Sequence, residues 1–136
     1  MRRTDLTAKA RILVVDDEAD VARYVAAALE DAGYEVIVAA DAKEGLDRLR
    51  DGSPDLLCLD LVMPGRTGIS LYREIREDPE YTNVPIVVVT GVTEADAKAR
   101  LGLGSALPEP EGFVEKPLDV GRLLRIVDSL LPVGGS

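Results

Sequence analysis

Five polar residues stand where apolar runs end. Asp16 and Asp17 follow RILVV, Asp60 closes DLLCL, Thr90 ends PIVVV and Lys116 follows GFVE. If these runs are parallel strands of one sheet, their ends bring three carboxylates, one hydroxyl and one ammonium to a single edge. Carboxylates that crowded repel one another, and a hard divalent cation bound through oxygen is the natural way to hold them together. Taken singly, an acidic residue after a strand is most often a helix cap or a loop residue. Five such positions at five strand ends point to a shared pocket, because open α/β sheets bind ligands beyond the carboxyl ends of their strands.

The elements that must position this set alternate along the whole chain. RILVV (11–15) reads as a strand, followed by a helix over about 18–32. That helix carries Val21, Tyr24, Val25, Ala28 and Leu29 on one stripe and stops at Gly33. YEVIVA (34–39) is a second strand, near an edge because Glu35 interrupts it. Asp41 caps a helix bearing Gly45, Leu46 and Leu49, which ends at Asp51-Gly52-Ser53-Pro54. DLLCLD (55–60) is apolar on both faces and so reads as a central, doubly covered strand. A helix over about 68–77 ends at Asp78-Pro79, and VPIVVVT (84–90) is a strand whose Pro85 fits only at its start. GFVEK (112–116) is the fifth strand, and Asp119 caps a last helix with Leu123, Leu124, Val127, Leu130 and Leu131 facing inward. Strict βα alternation predicts a doubly wound α/β fold with a five-stranded parallel sheet.

Composition narrows the function classes. A chain of 136 residues, 46% apolar and 30% charged, fits one globular domain with a real core. A net charge of −9 and a pI near 4.5 argue against nucleic-acid binding by this chain. The absence of histidine removes Ser-His and His-metal chemistry. The single cysteine, Cys58, lies inside an apolar run and reads as a small buried hydrophobe. No apolar run is long enough to span a membrane and the first ten residues lack a signal-peptide core, so the expected setting is the cytoplasm. The expected division is an N-terminal extension over 1–10, one domain over 11–131 and a tail over 132–136, with no room for an output domain.

The ordered set DDE (16–18), D-x-x-M-P-x-x-x-G (Asp60 to Gly68), Thr90-Gly91 and Lys116-Pro117 resembles the receiver domain of two-component response regulators, the chemotaxis-Y-like type. Each motif is short, but the set is specific and covers about residues 11–131. The resemblance implies the flavodoxin-like strand order 2-1-3-4-5. It makes Asp60 the phosphoacceptor, whose carboxylate attacks a phosphohistidine on a partner histidine kinase or phosphotransfer protein. It implies that Asp17 binds Mg²⁺ (or Mn²⁺) directly and that Asp16 does so directly or through water. Asp60 and the backbone carbonyl of Val62 would complete the protein's share of the shell. Lys116 is implied to pair with Asp60 at rest and with a phosphoryl oxygen afterwards, and Pro117 to be a cis proline that aims it inward. Thr90 is implied to donate its hydroxyl to the phosphoryl group and move toward it, while Gly91 leaves the centre open. Phe113 occupies the switch-aromatic position that couples the site to the face of helix four, strand five and helix five. A plainer reading keeps Phe113 simply as core.

Two further positions set phosphoryl lifetime in the family, and here both are apolar, Val62 and Val92. Slow self-dephosphorylation is therefore expected. The resemblance implies a stand-alone receiver: a switch or relay carrier that acts through an unidentified downstream protein, not an enzyme beyond assisting its own phosphotransfer. It leaves open whether the phosphorylated form becomes a homodimer. The chain departs from the pattern between Thr90 and Lys116, where it is a few residues longer than the resemblance implies. Gly102 and Gly104 each lower helix propensity by about 1 kcal/mol, and Pro108 and Pro110 forbid a regular helix. A short or frayed fourth helix and an extended Pro-Glu-Pro loop are expected. This loop is either a partner-docking surface or a segment without function, with Glu109 and Glu111 read as a solvated pair.

Three rival functions fit the sequence less well. A small aspartate-based phosphohydrolase would need a general acid two residues after Asp60, where Val62 stands. A flavodoxin would need a Ser/Thr/Gly-rich phosphate loop after strand one, where DDEAD stands. A receiver-like interaction module that no longer takes phosphate is disfavoured by the complete set of five residues.

Overall fold

The computed structural model describes residues 9–63, 68–102 and 108–131. Five strands and five helices alternate: β1 (Arg11–Val15), α1 (Ala19–Asp31), β2 (Glu35–Ala39), α2 (Ala42–Gly52), β3 (Leu56–Leu59), α3 (Gly68–Glu77), β4 (Ile86–Thr90), α4 (Glu94–Leu101), β5 (Gly112–Glu115) and α5 (Val120–Leu130). The strands are all parallel in the order β2-β1-β3-β4-β5. The chain leaves β1 toward β2 and then crosses to β3 on the other side. That reversal opens a crevice at the carboxyl ends of β1 and β3.

Every residue of β3 and β4 is buried, as expected of runs apolar on both faces. Glu35 sits on edge strand β2, where solvent reaches it. Alternate residues feed two cores. On one face Leu13, Val15, Leu57, Leu59, Ile86 and Val88 meet α2, α3 and α4 through Leu49, Leu71, Ile75 and Ala97. On the other, Ile12, Val14, Leu56, Cys58, Val87 and Val89 meet Val25 and Leu29 of α1 and Leu123 and Val127 of α5. Each such aliphatic side chain contributes about 1.5–3 kcal/mol on burial, so two filled faces hold the sheet rigid under its polar rim. Burial also pushes the Cys58 thiol up to about 12, which leaves it inert.

Asp41, Thr93 and Asp119 cap α2, α4 and α5 by accepting from the N–H of Glu44, Asp96 and Arg122. One detail of α1 differs from the expected stripe. Ala22, Val25 and Leu29 are its buried residues, whereas Tyr24 is exposed. The buried stripe is rotated toward Ala22, and Tyr24 lies well around the helix from Ala22 and Leu29.

As expected, α4 is short, eight residues, and Gly102 ends it in the left-handed conformation at φ 68°. Residues 103–107 of the expected loop lie outside the described residues, as do most of the expected N-terminal extension and all of the 132–136 tail. Residues 108–111 run irregularly into β5 and are anchored more firmly than a solvated loop. Arg76 of α3 is buried; its guanidinium donates to Glu111 (2.8 Å) and to the carbonyls of Val84 (2.7 Å) and Thr82 (3.0 Å). Glu111 also accepts from the Ile86 N–H (2.7 Å), and the Tyr72 hydroxyl donates to the Pro108 carbonyl. Reading Glu109 and Glu111 as one solvated pair is therefore corrected for Glu111, which is the counter-ion of a buried arginine. A guanidinium without that partner would be a costly isolated charge.

Candidate functional site

The ends of β1, β3, β4 and β5 each deliver their residue to one rim. Asp16 and Asp17 follow β1 directly, Asp60 follows β3, Thr90 is the last residue of β4 and Lys116 follows β5. Backbone bonds fix these ends. The Asp16 N–H donates to Ala39 (3.1 Å), the Asp60 N–H to Val15 (3.0 Å) and the Lys116 N–H to Thr90 (2.8 Å). The Lys116–Pro117 peptide bond is cis, as the resemblance implied.

Oxygens of Asp16, Asp17 and Asp60 lie within 4.8 Å of one another. Asp16 and Asp60 are each 4% exposed, while Asp17 faces solvent. The Lys116 ammonium bridges this group, 2.9 Å from Asp16 Oδ2 and 3.3 Å from Asp60 Oδ2. Its shortest contact, 2.8 Å, is to Glu18 Oε1. The expected resting pair of Lys116 and Asp60 is thus present, but it is the longest of three.

Burial raises the Asp60 carboxyl above its ordinary range. The Val62 N–H (3.1 Å) and Lys116 oppose that rise, and the charge of Asp16 adds to it. Burial disfavours the Lys116 ammonium, yet hydrogen bonds to Glu18 and Asp16, with the charges of Asp60 and Asp16, outweigh it and raise its pKa. The charged lysine held beside Asp60 gives a carboxylate nucleophile a fixed cation as neighbour.

Thr90 Oγ1 is buried and has no hydrogen-bond partner. A buried hydroxyl left unpaired is costly and rare in folded proteins. The oxygen-rich carboxylate cluster is what Mg²⁺ coordinates, and the orphaned hydroxyl suits a ligand bringing acceptor oxygens. A side chain added at Gly91 would meet nothing within 4 Å, so the approach beside Thr90 is open. Phe113 is buried in the core, with the Lys98 ammonium 5.7 Å from its ring centroid. Val62 is exposed, Val92 is half-buried, and the recorded polar contact of Val62 at Asp60 is through its N–H.

Two residues of the expected motifs have uses that the sequence did not announce. Glu18 is the third residue of DDE, and its carboxylate holds Lys116. Gly68 closes the D-x-x-M-P-x-x-x-G motif, and its Cα hydrogen position faces the Asp60 carbonyl so closely that a Cβ would stand 1.9 Å from that oxygen.

A family model described as the response regulator receiver domain matches residues 12–128. The chain belongs to this family. The receiver is 34% identical over 122 residues to protein Rrf1 of Nitratidesulfovibrio vulgaris, covering 90% of this chain and 83% of that protein. It is 34% identical over 121 residues to the phosphate regulon transcriptional regulatory protein PhoB of Pseudomonas aeruginosa, covering 88% of this chain. It spans about half the length of PhoB, 51%. Chemotaxis protein CheY4 of Vibrio cholerae superposes with a TM-score of 0.80 at 32% identity, covering 91% of this chain and all of that one. Receiver domains are phosphorylated by histidine kinases or phosphotransfer proteins and bind Mg²⁺ at an acidic cluster. Among the described residues no helix is long and apolar enough to cross a membrane.

Proposed function

We propose that Asp60 of this receiver accepts a phosphoryl group from a partner histidine kinase or phosphotransfer protein, and that the acyl phosphate switches the protein between two states. The observation that carries this reading is the Lys116 ammonium lying within ion-pair distance of both Asp16 and Asp60, residues from three separate strand ends. An Asp60 carboxylate oxygen attacks the phosphorus of a phosphohistidine, the P–N bond breaks and the imidazole departs with the bonding pair. Asp16, Asp17 and Asp60, with the Val62 carbonyl, would hold Mg²⁺. When bound, it supplies charge neutralisation for the phosphoryl oxygens. Lys116 transfers one of its hydrogen bonds to a phosphoryl oxygen. Thr90 gives its unused hydroxyl hydrogen to another, and Gly91 keeps the donor's path clear.

Thr90's move toward the phosphoryl group frees space beside Phe113, and the change is read out at α4, β5 and α5 by a second protein or by a second copy of this chain. The surroundings that suit this chemistry are those of a cytoplasmic kinase. The test is incubation with acetyl phosphate. With Mg²⁺ the intact mass should rise by one phosphoryl group, and with EDTA it should not. No modification under any divalent-cation condition would overturn the reading.

Val62 and Val92 cannot orient an attacking water by hydrogen bonding, so the acyl phosphate should decay slowly. Val62→Asn should shorten its lifetime by about tenfold, roughly 1.4 kcal/mol of barrier. Loss of the parent's phosphoryl group within seconds of removing the donor would contradict this.

A further inference from the structure

We propose that Glu18 is a positioning residue: it keeps the Lys116 ammonium in the site but off Asp16 and Asp60 when a divalent cation takes those two carboxylates. The inference rests on the metal-binding part of the reading above and extends it to a residue that reading leaves idle.

The geometry sets up a competition. The Lys116 ammonium lies 2.8 Å from Glu18, 2.9 Å from Asp16 and 3.3 Å from Asp60, so three carboxylates compete for one ammonium with three N–H donors. Asp16 and Asp60 are also two of the three carboxylates whose oxygens converge within 4.8 Å, and Glu18 is not in that group. An ammonium and a divalent cation cannot share the same two carboxylates without strong mutual repulsion. Glu18 is the one partner of Lys116 that a cation leaves untouched.

Glu18 is also built for this. It stands at the N-cap of α1, where a side chain normally accepts from the helix, yet it makes no cap hydrogen bond. Among the described residues its carboxylate has Lys116 as its recorded partner. Its own N–H donates to Asp16 Oδ1 (2.9 Å), which ties the position of Glu18 to the carboxylate that Lys116 must vacate. The Glu18 carboxylate is more than half exposed, so the lysine swings outward toward it and back when a phosphoryl oxygen arrives.

Manganese binding, followed by the electron paramagnetic resonance of free Mn²⁺, tests this without relying on phosphorylation. Glu18→Gln should weaken Mn²⁺ affinity by about fivefold, and in the Lys116→Met background the same change should alter it by less than about twofold. Glu18→Asp keeps the charge but is one methylene shorter, and with Lys116 present it should weaken affinity nearly as much as Gln. Equal weakening by Glu18→Gln in both backgrounds would mean a simple charge effect and would overturn the proposal. So would unchanged affinity in Glu18→Gln, or parent-like affinity in Glu18→Asp. If the parent protein binds no Mn²⁺, the metal reading itself falls and takes this proposal with it. Binding by the parent with any of the three contrary results overturns this proposal alone.

Discussion

Asp60→Asn is expected to carry no detectable phosphoryl group after an incubation with acetyl phosphate and Mg²⁺ that modifies the parent protein. An amide oxygen is a poor nucleophile and no other carboxylate in the cluster stands at the end of β3 beside the Val62 N–H. The same change should raise thermal stability when metal is absent. Asp60 is buried, and that burial, with the charge of Asp16, outweighs the Val62 N–H and Lys116 and raises its pKa in the fold. A raised folded pKa means the protonated form is favoured by folding. Its stabilising share is complete below the unfolded pKa and lost as pH rises through the folded value. Above the folded pKa the parent therefore carries a buried charge whose cost the Val62 N–H and Lys116 offset only in part. Asn does not, so its advantage in a melting experiment with EDTA should shrink as the solution is acidified. Undiminished phosphorylation of the variant would remove Asp60 from its role. A variant less stable than the metal-free parent at neutral pH would show that the Lys116 pair outweighs burial.

Gly68→Ala should cost about 3 kcal/mol or more of folding stability and impair phosphorylation together. The added Cβ would stand 1.9 Å from the Asp60 carbonyl oxygen and 2.8 Å from Leu61 Cα, both backbone atoms that cannot rotate aside. Alanine gains about 1 kcal/mol of helix propensity over glycine, which opposes the steric cost without matching it. To relieve the overlap, the start of α3 must move away from the turn that carries the phosphoacceptor. Urea unfolding and acetyl-phosphate labelling check both effects. A variant as stable as the parent would show that α3 can shift freely, and the close approach would then have no structural purpose.

Much of this was legible in the sequence because each signal is local. LLCL and IVVV are apolar on both faces, and only a doubly covered sheet uses such runs. Asp41 and Asp119 precede amphipathic helices, where a short acidic side chain caps. The strand-end residues became a site once the strands were parallel, since parallel strands present all their carboxyl ends on one side. The features the sequence does not display depend on contacts between residues distant in the chain. Glu18 and Lys116 are 98 residues apart, so the DDE motif displays Glu18 without showing where its side chain goes. Arg76 and Glu111 are separated by 35, and an arginine near the end of a helix ordinarily lies in water. Nothing in its neighbours marks it as the buried anchor of residues 108–111. The exposed position of Tyr24 is hidden from the pattern because neighbouring positions on a helix face differ by a rotation that a sequence stripe resolves only coarsely.

The most direct measurement is to locate the phosphoryl group chemically. Borohydride reduces an aspartyl phosphate to homoserine, and tandem mass spectrometry of the digested protein then identifies the position. The arrangement of Asp16, Asp17, Asp60, Thr90 and Lys116 predicts homoserine at position 60 alone, formed with Mg²⁺ and absent with EDTA. Homoserine at another carboxylate, or equal yield at position 60 without a divalent cation, would contradict it.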